Sequence, residues 1–219
     1  MSEQRTLCVY GAGGHGLVVV DAALSCEWTT VLGVLDDNSD RHGMEVCGVP
    51  VIGGREALDR ADVRRASIVL AIGCAADRRR LDREFRGLGI RFGRVIHPAA
   101  HIARGTTIGE GTVVLPMCVL HSHVVVGRHA IVNTAATVDH HGQIGDFAHI
   151  APGAHLAGHV TVGEAAHVGI GAAITAGVTI GDGAVVGAGA AVVEDVPAGV
   201  VVVGVPARVF RPARVFRKD

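Results

Sequence analysis

The sequence predicts two folds in tandem, an α/β Rossmann-like domain over residues 1–95 and a parallel β-solenoid over residues 96–219. Three observations predict them. From Ile96 to Val192 an aliphatic residue stands at every sixth position, seventeen positions out of seventeen. The N-terminal segment reads as strand, glycine turn and helix. Between these two stretches, short apolar runs alternate with helical ones, the pattern of a small parallel sheet.

In the first domain, residues 6–10 (TLCVY) form a buried-strand run that enters Gly11-Ala12-Gly13-Gly14-His15-Gly16, and residues 17–24 continue as an apolar helix. Glycines allow close backbone approach, and the free N–H groups and positive dipole end of the helix favour an anion. A second strand, 30–35, ends in Asp36-Asp37-Asn38, about the distance from a glycine turn at which a dinucleotide-binding protein places its ribose-binding acid. Taken alone, the motif reads as NAD binding. Against this, the domain ends near residue 95, which leaves space for one mononucleotide-binding half and not two. Residues 48–54 predict a turn and short strand leading into a helix through Leu58. Residues 67–72 predict a buried strand closed by Gly73, followed by a charged helix over 75–88 in which Arg78-Arg79-Arg80 reads as a solvated face. Residues 91–96 predict the last strand of the domain. Gly73 and the glycine turn both follow strand C-termini, the edge at which open α/β sheets bind ligands.

In the solenoid, a period of six fits neither a helix nor a two-faced strand, but it fits short strands of about four residues joined by tight corners. Gly often follows the aliphatic residue, as at Gly109, Gly127, Gly145, Gly163, Gly169, Gly181 and Gly187. Three hexads make one coil of eighteen residues, so residues eighteen apart stack at the spacing of neighbouring strands, about 4.8 Å. With 31 glycines and 3% aromatic residues, the composition suits thin aliphatic coils. Residues 194–199 break the repeat, and the tail from 209 to 219 reads as basic and partly loose.

With 20 basic against 21 acidic residues, the chain carries no electrostatic footprint for nucleic acid or membrane. Five cysteines, an odd number without a CxxC pair, argue against a disulfide framework and a zinc site. Neither a signal-peptide run nor an apolar stretch of membrane-spanning length is present, so the expected location is the cytoplasm.

Most of the thirteen histidines lie in the solenoid, and the stacking arithmetic sorts them. His140 has Ser122 and Gly158 as neighbours eighteen residues either way. His123, His141 and His159 form a second ladder, and His149 stacks with His167. A base beside a backbone N–H on the adjacent coil suits acyl transfer: one takes a proton from the attacking amine or hydroxyl, the other stabilises the oxyanion. His121, His129, His155 and His159 read as solvated corner residues. The three-histidine ladder suggests a metal by residue type, but side chains stacked on one edge point the same way, so no metal is expected.

Asn133-Thr134-Ala135-Ala136, Asp139-His140-His141-Gly142-Gln143-Ile144-Gly145-Asp146, His149-Ile150-Ala151-Pro152-Gly153 and Leu156-Ala157-Gly158 together resemble the active-site run of the hexapeptide-repeat acyltransferases. The closest branch holds the nucleotide-sugar acetyltransferases, with bacillosamine and perosamine N-acetyltransferases and sialic acid O-acetyltransferases. The resemblance implies a left-handed parallel β-helix, acetyl-CoA as cosubstrate and a homotrimer with acyl-CoA sites between adjacent helices. It implies His140 as general base, the Gly158 N–H on the thioester carbonyl and His149 near the acetyl group. The apolar surface over 170–180, with Ala176, suits the pantetheine arm, and Arg208 of the Gly204-Val205-Pro206-Ala207-Arg208 segment would lie close to the CoA nucleotide. In the first domain it implies nucleotide-sugar contacts at Gly13, Gly14, His15, Asp36 and Asp37, with Gly73 at the same sheet edge. One position departs from the family. An acid usually follows the base, and here His141 does, so a different arrangement for orienting the base is expected.

The expected activity is therefore transfer of acetyl from acetyl-CoA to the amino group of a nucleotide-linked amino-deoxy sugar. The same base acting on a hydroxyl gives an O-acetyltransferase, and a non-catalytic nucleotide-sugar-binding protein is the reading from another class.

Overall fold

The computed structural model describes residues 5–213 and divides into two compact units, Met1–Pro98 and Ala99–Asp219. The last part of the tail expected to be loose, residues 214–219, lies outside the described residues.

The first unit contains β1 (Arg5–Tyr10), α1 (Gly14–Leu24), β2 (Thr29–Leu35), β3 (Glu45–Val46), β4 (Val49–Gly53), α2 (Ala61–Arg65), β5 (Ser67–Leu70) and α3 (Ala75–Gly87). The sheet order is β3-β4-β2-β1-β5. β1 pairs in parallel with β2 and β5, and β2 with β4, while β3 adds antiparallel at the edge. Cys8, Leu35, Ile68, Leu70, Leu81 and Phe85 fill the core. α1 begins at Gly14, inside the glycine turn, because its first turn packs on the turn itself: a Cβ at Gly16 would stand 2.0 Å from the Gly11 carbonyl oxygen.

Two expectations for this unit are corrected. The helix expected through Leu58 is a 3-10 turn, Arg55–Asp59. The Glu56 carboxylate accepts the Gly54 N–H at 2.6 Å, and Arg60 is already extended, so the turn has no room to lengthen. The strand expected over 91–96 is reduced to a bridge between Ile68 and Phe92 and the short strand Val95–Ile96. Between them the chain crosses close to β1, where a Cβ at Gly93 would meet Leu7 at 2.4 Å.

The second unit is a parallel β-helix. Each hexad contributes a strand of two residues, shorter than expected, such as Thr137–Val138, Gln143–Ile144 and His149–Ile150. Strands pair in parallel at a register of eighteen: Leu120 with Val138, Ile144 with Val162, Ile150 with Val168. Successive hexads fall on three different sheets. The interior column of one sheet, Leu120, Val138, Leu156 and Ile174, is at most 3% exposed. Burying each such side chain contributes about 1.5–3 kcal/mol.

Two small-residue devices close the coils. Every sixth residue from Gly105 to Gly189 adopts a positive φ, and where glycine is absent Met117, His123, His129, Ala135, His141, Phe147, His159 and Ala165 take the left-handed conformation. The glycines after the aliphatic residues act otherwise, by letting coils approach. A Cβ on Gly145 would stand 2.7 Å from the Glu164 nitrogen and the Gly163 carbonyl carbon of the next coil. The tail is more ordered than expected up to Pro212: Arg208–Pro212 pairs antiparallel with Val200–Val203. Among the described residues no helix is long and apolar enough to cross a membrane.

Candidate active site

The corner between Thr137–Val138 and Gln143–Ile144 is closed by the Gly142 N–H donating to the Asp139 carbonyl at 3.2 Å. This corner projects His140 and His141 outward, both exposed. The coil above is tied to it by the His159 N–H, which donates to the His140 carbonyl at 3.0 Å. His140 therefore lies directly against Gly158. A Cβ built on Gly158 would stand 2.5 Å from His140 Cε1 and 2.7 Å from Nε2, so only glycine admits the ring there. The Gly158 N–H has no hydrogen-bond partner among the described residues. A ring nitrogen able to take a proton and an unused N–H donor thus share one corner.

On its other side, His140 Nδ1 lies 3.2 Å from His141 Nδ1. The His141 ring sits in a stack, with centroids 5.4 Å from His123 and 4.8 Å from His159, tilted by 25° and 5°. His140 meets both His141 and His159 edge-on, at 5.4 and 5.1 Å. Desolvation, then the charges of His159, His123 and His140, lower the His141 pKa. The nitrogens of His140, His141 and His159 lie within 4.8 Å of one another. Two of these rings, His141 and His159, lie face to face within 5° of parallel.

A groove of about 340 Å³ runs beside this corner, lined by Thr137, Asp139, His155, Leu156, Ala157 and Thr175 among others. Ala173 and Ala191 line it too, and small side chains keep it open. His155 holds Thr137 through Nδ1 at 2.9 Å, and His121 lies 3.6 Å from the Asp139 carboxylate. Ala176 stands eighteen residues after Gly158 and is exposed. His149 is placed elsewhere: its strand belongs to a different sheet from Thr137–Val138 and Gln143–Ile144. There Nε2 lies 3.2 Å from Asn133 Nδ2 and the ring meets His167 edge-on at 4.9 Å. Arg208 is exposed, and its guanidinium donates to the Ala207 carbonyl at 2.8 Å.

One of the histidines expected to be solvated is not. His129 is fully buried, its ring stacked on Phe147 at 5.4 Å, because the corner below it is Gly111, which leaves a slot for the imidazole. His159, although exposed, is the upper ring of the His141 stack.

In the first unit, Gly13 is the N-cap of α1, with Gly14 and His15 in its first turn. His15 Nε2 is buried with no hydrogen-bond partner among the described residues. Burial, then the neighbouring Arg78 cation, push the His15 pKa down to about 4, so it is neutral at physiological pH. Arg78 corrects the solvated-face reading of the arginine run: it is 1% exposed. Its guanidinium donates to the Ile72 and Gly73 carbonyls at 2.8 and 2.7 Å, drawn in by the carbonyls of the turn that ends β5. The signal was present, since an arginine near a helix N-terminus opposes the helix dipole. The two acids are braced internally. Asp36 accepts the Ala12 N–H at 2.7 Å and pairs with Arg41 at 3.0 Å, tying the glycine turn to the end of β2. Asp37 accepts from the Tyr10 hydroxyl and from Arg55 at 2.9 Å. Burial opposes its charge, but these hydrogen bonds outweigh burial and hold its pKa below the usual carboxylate value.

The family model described as the PglD N-terminal domain matches residues 6–85. No curated protein matches the chain. Among solved structures, the chain is similar to the acetyltransferase domain of PglB from Neisseria gonorrhoeae FA1090, at 38% identity and a TM-score of 0.86, over 94% of this chain and 100% of that one. The same domain is solved in complex with acetyl coenzyme A, at a TM-score of 0.87. PerB from Caulobacter crescentus, in complex with CoA and GDP-perosamine, is similar at 37% identity and a TM-score of 0.86, over 94% of this chain and 97% of that one. WeeI from Acinetobacter baumannii AYE is similar at 30% identity and a TM-score of 0.82, over 94% and 100% of the two chains.

Proposed function

The chain belongs to the family of acetyl-CoA-dependent sugar N-acetyltransferases that includes the PglB acetyltransferase domain and PerB, and from that premise we propose how it works and on what. The acceptor is the amino group of a nucleotide-linked amino-deoxy sugar, as the GDP-perosamine bound to PerB supports. The Met1–Pro98 unit carries the nucleotide: Gly13 and Gly14 open a helix N-terminus to the phosphates, and the unpartnered His15 Nε2 offers a buried polar contact. Asp36 and Asp37 act chiefly by shaping that turn, and Gly73 borders it.

The single observation that carries the mechanism is His140 lying on Gly158 beside an unused N–H. His140 Nε2 takes the amine proton as nitrogen attacks the thioester carbon, and the Gly158 N–H donates to the oxyanion. The tetrahedral intermediate collapses to the amide, CoA thiolate leaves, and the proton held on His140 passes to the sulfur. The groove supports a seat for the pantetheine arm, with Ala176 along its course and Arg208 toward the CoA nucleotide. His149 lies on another face, so one chain does not bring it to the acetyl group of its own His140. A homotrimer, in which His149 of the partner subunit closes each groove, accounts for both sets of residues. The setting is cytoplasmic, where acetyl-CoA and nucleotide-sugars are made.

A thiol-release assay with acetyl-CoA and UDP-, GDP- and dTDP-linked 4-amino-4,6-dideoxy sugars tests the proposal, with a free sialic acid as hydroxyl acceptor. Release with one nucleotide-linked amino sugar is expected. Release with the hydroxyl acceptor alone would overturn the acceptor, and no release from any would overturn the activity.

A further inference from the structure

Resting on the reading of His140 as base, we propose that His141 is its positioning residue, a neutral imidazole clamped between His123 and His159 that accepts the Nδ1–H of His140. The geometry points to this from three sides. First, the Nδ1-to-Nδ1 distance of 3.2 Å allows one hydrogen bond, and one of the two nitrogens must carry the hydrogen. For Nε2 of His140 to take a proton from substrate, its hydrogen must be on Nδ1, so His141 Nδ1 is the acceptor and the His141 hydrogen is on Nε2. Second, Gly158 lies against the Cε1–Nε2 side of the His140 ring, so the imidazole is held between a wall and an acceptor. Third, His141 occupies a left-handed corner at φ 61°, with His123 and His159 at φ 62° and 61°. Three successive coils thus carry histidine where glycine serves elsewhere, and the stacked rings hold the plane of His141 at 82° to that of His140.

The titratable groups facing His141 are His140, His123 and His159, and the carboxylate two residues before it, Asp139, faces His121 instead. No carboxylate therefore balances a proton on the stack. A cation on His141 would turn its Nδ1 into a donor facing a donor and release His140 from its tautomer. Protonating either His140 or His141 stops the reaction, and the two titrations are coupled. The consequence is an acidic limb of log kcat/KM with a slope approaching 2, where a carboxylate-oriented base gives 1. Desolvation and the charges of the neighbouring rings lower the proton affinity of His141, so its part of the limb lies at lower pH than with a carboxylate at this position.

The test compares His141→Leu with His141→Asn, whose Oδ1 stands where Nδ1 now stands and which tolerates a positive φ. His141→Leu is expected to lower kcat more than tenfold with little change in KM for acetyl-CoA. His141→Asn is expected to restore most of that loss with a limb of slope 1, and His141→Glu to move the limb to higher pH, also at slope 1. Equal pH profiles in the original protein and His141→Leu would overturn the inference. In the unaltered protein, imidazole nitrogen NMR is expected to place the neutral His140 hydrogen on Nδ1, and the opposite tautomer would overturn it even if no variant folds. His140→Ala separates the two levels: survival of turnover there overturns the base itself, whereas its loss with an unaltered His141→Leu profile overturns only the positioning role.

Discussion

At the residue scale, His140 is placed by an absent side chain. Gly158→Ala inserts a methyl group 2.5 Å from His140 Cε1, so the ring must swing away from the groove. A displacement of about 1 Å in a reacting group costs on the order of 10²-fold, and kcat should fall by that order while the thermal melt changes little. His140→Ala removes the base itself, and kcat should fall by about 10²- to 10⁴-fold; steady-state kinetics of the two variants check both. His15 gives a separate reading, of stability. Its folded pKa of about 4 lies below the ordinary 6.5, so as pH falls the unfolded chain binds the proton first. Stability is full above pH 6.5 and is lost from there down to about 4, by at most about 3 kcal/mol. Urea midpoints at pH 7.5 and 5 should differ in this direction, and the difference should shrink in His15→Asn.

At the element scale, the hexad strands are too short to be stable singly, and each depends on the coils above and below. Leu156, 1% exposed, packs in the column of Leu120, Val138 and Ile174 directly behind the groove. Leu156→Ala should cost about 2–5 kcal/mol, measured by denaturant unfolding, and should weaken acetyl-CoA binding because the groove wall moves. The corners follow a different economy. A non-glycine residue in the left-handed region costs about 1–2 kcal/mol, and the chain accepts this at His123, His141 and His159. The hexad aliphatics were legible because burial imposes one residue type at a fixed period. The left-handed position was equally periodic but not legible, since glycine, histidine, alanine, methionine and phenylalanine all fill it.

At the scale of the whole molecule, the proposed transfer uses the acetyl donor, the unused N–H and His140 as base, and no step of it calls on a metal. Turnover should be unchanged by prior treatment with a chelator, and a loss restored by a divalent ion would contradict this. His149 lies on a different sheet from the strands that flank His140, and in the proposed homotrimer the active unit is larger than one chain. Light scattering should give three copies of the 22.5 kDa chain, and dilution to monomer should abolish turnover. The sequence by itself determined the two-fold organisation, the eighteen-residue stack and the pairing of His140 with Gly158, because a strict period converts position in the chain into position in space. Only the tertiary structure decided which neighbours a side chain meets between periods. It buried Arg78 against the Ile72 and Gly73 carbonyls and sank His129 over Gly111. It turned Asp36 inward onto the Ala12 N–H and tied the exposed Asp37 to Tyr10 and Arg55, and it set His141 against His140 at 3.2 Å. Those placements depend on ring direction, rotamer and the space left by glycine on another coil, and residue type in one dimension carries none of these.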